Sequence, residues 1–171
     1  MDEPSRAALH ALLAAQPVAA LGTLREGREG AEPQVSMVPV AWAEDGCCAF
    51  VHVSSLAPHT RDLRHHPRAA ALFTAALQPG DDPQALPRLS VQVDARFLER
   101  DGADWGAAEA AYRARFPRSE QTFALGDFHL VALQPRTARF VAGFGRAWTV
   151  DAATLAALIR PSPSTSTPPE R

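Results

Sequence analysis

The stretch RLSVQVDARFLE, residues 88–99, puts Leu89, Val91 and Val93 on every second position, with Ser90, Gln92 and Asp94 between them. A period of two sends alternate side chains to opposite faces of an extended chain, so this stretch predicts a strand with one dry face and one wet face. Strands of a parallel sheet covered by helices are apolar on both faces and separated by helices. Here strand-like runs mostly follow one another. VAALGTL (18–24) leads through the charged, glycine-punctuated REGREGAEP to QVSMVPVAWA (34–43), and the turn EDG leads to CCAFVHVS (47–54). Consecutive strands with short turns predict a mainly β, α+β chain, an antiparallel barrel decorated by helices.

The other segments fit around that frame. In PSRAALHALLAAQP, Leu9, Leu12 and Leu13 share a helical face and Pro17 ends the helix. In QVSMVPVAWA the alternation groups Val35, Met37, Pro39 and Ala41 on one side, and Pro39 marks an edge, a bulge or an interrupted ladder. A helix is expected from Ala57 to His65, stopped by the proline after His66, with RAAALFTAAL as the next strand. DWGAAEAAYRARFP reads as a helix. DFHLVALQP and TARFVAGF read as two strands joined at QPRT, and DAATLAALIR as a short helix with Asp151 as N-cap. The expected organisation is one domain over 1–160 and a disordered, low-complexity tail over 161–171.

Composition narrows the chemistry. The net charge of −2 offers no broad cationic footprint for nucleic acid or anionic lipid. All 17 basic residues are arginine, so a Schiff-base lysine and a lysine phosphate clamp are excluded. Cys47 and Cys48 are adjacent, point to opposite faces of an extended segment, and are expected to stay reduced in a cytoplasmic protein. The opening residues MDEPSRAALH lack the pattern of a secretory signal, and no apolar run approaches the roughly 18 residues of a membrane span.

SSLAPHTRDLRHHPRAA, residues 54–70, concentrates the polar chemistry. His65 and His66 diverge on a helix, His59 and His66 lie seven apart rather than three or four, and no carboxylate completes a triad, so no metal site is expected. An anion is the better candidate. A strand end followed by a helix start offers free amides, with hydroxyls on Ser54, Ser55 and Thr60 and positive charge on His59, Arg61 and Arg64. Helix capping with exposed arginines explains the same letters. GFGRAW lacks the third glycine of a dinucleotide fingerprint, so its glycines mark a bulge or a close backbone approach. Arg146 and Trp148 beside them could face a ligand or pack. No Ser/His/Asp nucleophile arrangement stands out.

In order, VSMVPVAW, HVSSLAPHTRDLRHHPRAAALF, PRLSVQVDARFLE, ARFP and GDFHLVALQPRTARFVAGFGRA resemble the flavin-binding split-barrel proteins of the pyridoxamine 5′-phosphate oxidase-like superfamily, over roughly residues 5–150. The most similar subgroup is that of haem utilisation. The resemblance implies a six-stranded antiparallel split barrel that forms a homodimer, with FMN in a groove at the interface. It implies that Met37, Val38, Pro39 and Val40 run past the flavin ring. It assigns Ser54, Ser55, His59 and Thr60 to the phosphate, with Arg61 nearby, and Arg88 to the phosphate or ring. The oxidases carry an Arg-Lys pair where this chain has His59 and Thr60, so one fixed charge is lost and the other becomes titratable. Haem-degrading relatives use a histidine beyond the segment like GFGRA, whereas the last histidine here is His129. The function expected is an FMN-dependent oxidoreductase acting on an unknown small molecule. The alternatives are a haem-binding protein on the same fold and a cofactor-free dimeric binding module.

Overall fold

The computed structural model describes residues 1–160; the tail assigned to 161–171 lies outside the described residues. The chain runs α1 (Glu3–Ala15), β1 (Val18–Gly27), β2 (Gly30–Pro39), β3 (Ala41–Trp42), β4 (Ala49–Ser54), α2 (Pro58–His65) and β5 (Arg68–Thr74). It continues through β6 (Arg88–Phe97), α3 (Trp105–Arg115), α4 (Glu120–Phe123), β7 (Phe128–Gly143), β8 (Arg146–Asp151) and α5 (Ala152–Ile159). The strands form one sheet in the order β2-β1-β5-β6-β7-β4-β3, with β8 also on β7, and every pairing is antiparallel. This is the expected α+β split barrel, with eight strands rather than six. The two-residue β3 and the hairpin partner β8 account for the difference.

Alternation on β6 places Leu89, Val91 and Val93 inside, against Leu21, Phe73, Leu133 and Phe140. A second apolar cluster lies beneath α3 and α4, where Phe50, Leu98, Tyr112, Phe123 and Leu130 meet. Asp151 caps α5 as the sequence suggests, its carboxylate accepting the Thr154 amide at 2.8 Å, and Asp2 caps α1 by accepting the Ser5 amide. No helix among the described residues is long and apolar enough to cross a membrane. Both cysteines are free thiols.

One grouping and one strand division are corrected. On β2, Val35 and Met37 are 75% and 66% exposed, so the grouped face is the outer one, but Ala41 is only 2% exposed and leaves that face, while Val38 and Val40 are each 2% exposed. Pro39 ends the strand, and Val40 leaves the β1–β2 ladder to donate its amide to the Pro17 carbonyl. That break lets Val40 and its neighbour Ala41 both point inward. QPRT does not separate two strands either. β7 runs continuously through it, absorbing Arg136 as a bulge where Thr137 pairs with Gln92 and Pro135 with Val93.

Strand register also defines the outer face of β2, β1 and β5. Met37, Ala20 and Leu72 form one cross-strand row, and Val35, Gly22 and Ala70 the next. These rows are apolar, and Val35, Met37 and Leu72 are all exposed.

Candidate functional site

The end of β4 and the start of α2 are tied together by side chains. Ser54 Oγ donates to Asp127 Oδ2 at 2.6 Å, and the Ser55 amide donates to the Asp127 carbonyl at 2.7 Å. Thr60 Oγ1 donates to the Ser54 carbonyl at 2.6 Å, and Thr60 is fully buried. Two of the three hydroxyls expected to cradle an anion are therefore engaged internally, Thr60 tying α2 to the end of β4 and Ser54 tying that end to the start of β7. Ala57, the N-cap of α2, supplies no side-chain bond, and Pro58 follows at the first helical position.

Ser55 is different. Its exposed hydroxyl sits 2.7 Å from His129 Nε2, and an Arg64 Nη lies 3.2 Å from the same nitrogen. A guanidinium can only donate, so Nε2 is an acceptor there and the proton of the neutral ring sits on Nδ1. Burial holds the His129 pKa below the ordinary histidine value, and the Arg64 charge pushes it the same way. Arg64 is itself fixed, its guanidinium lying 4.2 Å from the Phe97 ring centroid, while Phe97 meets the edge of His129. The result is a half-buried, neutral imidazole beside a cation at the rim of the barrel.

His59 occupies the other end of α2. Its Nδ1 lies 3.0 Å from Ser36 Oγ on β2, and burial lowers its pKa. Asp62, one helical turn on, is buried and accepts Thr23 Oγ1 at 2.9 Å, with Arg25 at 3.8 Å. Arg61 is exposed and lines a shallow cavity with Arg25, Glu26 and His65. His66 Nε2 lies 3.9 Å from Glu26. Among the described residues no three metal-ligating side chains converge, and the histidine cluster in the sequence is dispersed in space.

Residues 5–142 match the family of pyridoxamine 5′-phosphate oxidase. The chain belongs to this family. It is 32% identical to the haem oxygenase HutZ of Vibrio cholerae over 119 residues, which are 69% of this chain and 66% of that protein. It is 30% identical to the chloroplastic haem oxygenase HOZ of Arabidopsis thaliana over 128 residues, 75% of this chain and 37% of that one. The structure of a haem-binding protein from Mycobacterium smegmatis superposes with a TM-score of 0.77 at 28% identity, over 92% of this chain and 61% of that one. The chain thus spans less than two thirds of the length of these three relatives.

Within this family frame, the residues assigned to a cofactor by resemblance fall into three places. Ser54, Ser55, His59, Thr60 and Arg61 do gather around α2. On β2, Met37 presents its side chain outward, whereas Val38 and Val40 face the core and can offer a ligand only backbone groups. Pro39 has no amide to offer. Arg88 stands apart: it pairs with Val141 near one end of β7, whereas Ser54 pairs with Phe128 at the other.

Asp127 and His52 were missed by sequence reasoning, and His129, noted there as the last histidine, was not connected to Ser55. Asp127 and His129 are brought to Ser54 and Ser55 by the β4–β7 ladder, a long-range pairing that no local motif announces. His52, also on β4, is buried, stacked on Phe123 at 4.0 Å and edged by Tyr112. Thr122 Oγ1 lies 3.2 Å from its Nδ1, and its Nε2 has no hydrogen-bond partner. Burial first, and then the charge of Arg100, lower its pKa to about 4. The alternation of CCAFVHVS fails to flag it, because β4 is buried on both faces.

Proposed function

We propose that this chain is a haem-binding member of the family, and that His129 is its iron ligand. The observation that carries the reading is the neutral His129 ring, whose Nε2 accepts from Ser55 and Arg64 at the accessible rim of the barrel. A neutral imidazole with a directed lone pair is what ferric or ferrous iron requires. The donor set therefore fits. Ligation would exchange two hydrogen bonds to Nε2 for one bond to iron, and Arg64 would remain beside it to face a carboxylate. Bound haem would supply the redox chemistry, while the chain's residues bind and orient it. Similarity to two haem oxygenases and a haem-binding protein supports the same reading.

The FMN-dependent oxidoreductase reading has weaker support. Two of the hydroxyls it needs are engaged internally, and its fixed positive pair is replaced by His59 and Thr60. Association into a homodimer is part of the proposal. The apolar rows Met37–Ala20–Leu72 and Val35–Gly22–Ala70 form an exposed sheet face of the kind that a second subunit covers.

The deciding experiment is a haem titration of the purified protein followed in the Soret region, with FMN titrated in parallel by fluorescence. A saturable Soret shift that is lost or displaced in His129→Ala is expected. No Soret shift, or one that His129→Ala leaves unchanged, would refute histidine ligation at this position. Tight FMN binding without haem binding would restore the flavin reading.

A further inference from the structure

Cys47 and Cys48 do not lie in a strand. β4 begins at Ala49, and both cysteines belong to the turn after β3, so the alternation that would send them to opposite faces does not act on them. The Cys47 Sγ lies 3.8 Å from the Cys48 Sγ. Cys47 is exposed, and Cys48 is half-buried against the cluster beneath α3 and α4. Burial raises the pKa of both thiols, that of Cys48 to about 12, so both are protonated at neutral pH.

The turn holds this pair in place. The Ala43 amide donates to the Cys48 carbonyl and the Gly46 amide to the Ala43 carbonyl, each at 2.9 Å, and the Asp45 carboxylate accepts the Cys47 amide at 3.0 Å. Gly46, at a φ of +69°, runs so close to α5 that an added Cβ would meet the Ala156 carbonyl at 2.9 Å. Beside the thiols, the turn and α3 enclose a cleft of about 870 Å³. Trp42 and Cys47 line one side of it, and Ala107, Ala110, Ala111 and Ala114 of α3 line the other.

Three chemistries could use two adjacent thiols, and the geometry separates them. A disulfide joins residues whose Cα atoms are usually about 4.4–6.8 Å apart, whereas chain neighbours are held at about 3.8 Å, so closing that ring strains it. A tetrahedral thiophilic cation takes four ligands, and among the described residues no group of three or more His, Cys, Asp or Glu side chains converges. A trivalent metalloid that already carries an organic substituent needs two sulfurs and no more. Sulfurs that share one centre through bonds of about 2.3 Å at a near-tetrahedral angle stand roughly 3.8 Å apart, and a pyramidal centre draws them only slightly closer.

We propose that Cys47 and Cys48 form a dithiol clamp for a trivalent organoarsenical, with its organic group lodged in the alanine-lined cleft. Each Sγ forms a bond to arsenic, and the two thiol hydrogens leave with the arsenic-bound oxygen as one water. The exchange consumes no oxidant and suits neutral thiols, whereas a cation would have to displace both protons. The clamp lies at the opposite end of β4 from Ser54 and goes beyond the haem-binding proposal, and its test involves no haem.

The reduced full chain is treated with phenylarsine oxide and followed by intact mass and by thiol titration. One phenylarsenic group per chain is expected, with the loss of two titratable thiols. The adduct should survive excess 2-mercaptoethanol and be released by 2,3-dimercaptopropanol. It should be absent from Cys47→Ser and from Cys48→Ser after the same monothiol wash. Ala107→Leu/Ala110→Leu fills the cleft from exposed positions of α3, and should weaken capture of phenylarsine oxide by about tenfold while leaving capture of arsenite unchanged. The proposal is overturned by no adduct, by an adduct that persists in either serine variant, or by Zn²⁺ that protects the pair at equal concentration. An alanine double variant that captures phenylarsine oxide as wild type does, at an unchanged melting temperature, overturns it as well.

Discussion

The Ser54 hydroxyl donates to the Asp127 carboxylate at 2.6 Å across 73 residues of sequence, and so joins the end of β4 to the start of β7. A charge-assisted bond in a half-buried position contributes more than a neutral one, and Asp127 also anchors the Ser55 amide through its backbone. Asp127→Ala is expected to destabilise the fold by about 1–3 kcal/mol. Thermal unfolding measures the loss. Ser54→Ala should show part of the same loss, and a melting temperature equal to wild type for both variants would show that the bond is not formed in solution.

His52 makes stability depend on pH. Its folded pKa is lowered to about 4 from an ordinary value of 6.5, so the native state keeps it neutral while the unfolded chain takes up a proton. Stability from this group is complete above pH 6.5, declines as pH falls, and is lost by pH 4, a loss of roughly 3 kcal/mol. His52→Phe, which keeps the stacking on Phe123, should flatten that part of the profile in urea unfolding between pH 7 and pH 4.

Arg64 lowers the His129 pKa by placing its charge beside Nε2. Arg64→Ala should raise that pKa toward the ordinary histidine value, as followed by NMR titration of the ring protons. The same variant should leave the His52 titration in place, because burial and the Arg100 charge lower that pKa.

The exposed rows on β2, β1 and β5 predict self-association. Met37→Asp with Leu72→Asp puts two charges into one row of that face, on either side of Ala20, and should convert a dimer to a monomer in sedimentation velocity. Both side chains point away from the core, so the melting temperature of the monomer should report only the loss of the interface.

The clear alternation of β6 and the glycine and proline punctuation made the strand frame legible from residues alone. On β2 the grouping by alternation holds for Val35 and Met37 but loses Ala41, because the ladder breaks after Pro39 and periodicity cannot see such a break. The continuity of β7 was hidden for a related reason: a bulge at Arg136 accommodates a proline that, in sequence, reads as an interruption. At the site, the sequence located the helix start around His59 but not the job of each hydroxyl. Whether Thr60 donates to a ligand or to the Ser54 carbonyl depends on a six-residue turn whose geometry the letters do not contain.

β7 serves three ladders at once, with β4 on Phe128–Leu133, β6 on Val131–Val141 and β8 on Thr137–Gly143. During synthesis the amino-terminal strands leave the ribosome first, and their largest common partner arrives last. β4 and β6 therefore spend that interval with open edges and dry faces exposed. Closure waits for one late segment, so the half-made chain is the form most in need of a chaperone, and a truncation that removes β7 should yield an aggregating fragment rather than a smaller barrel.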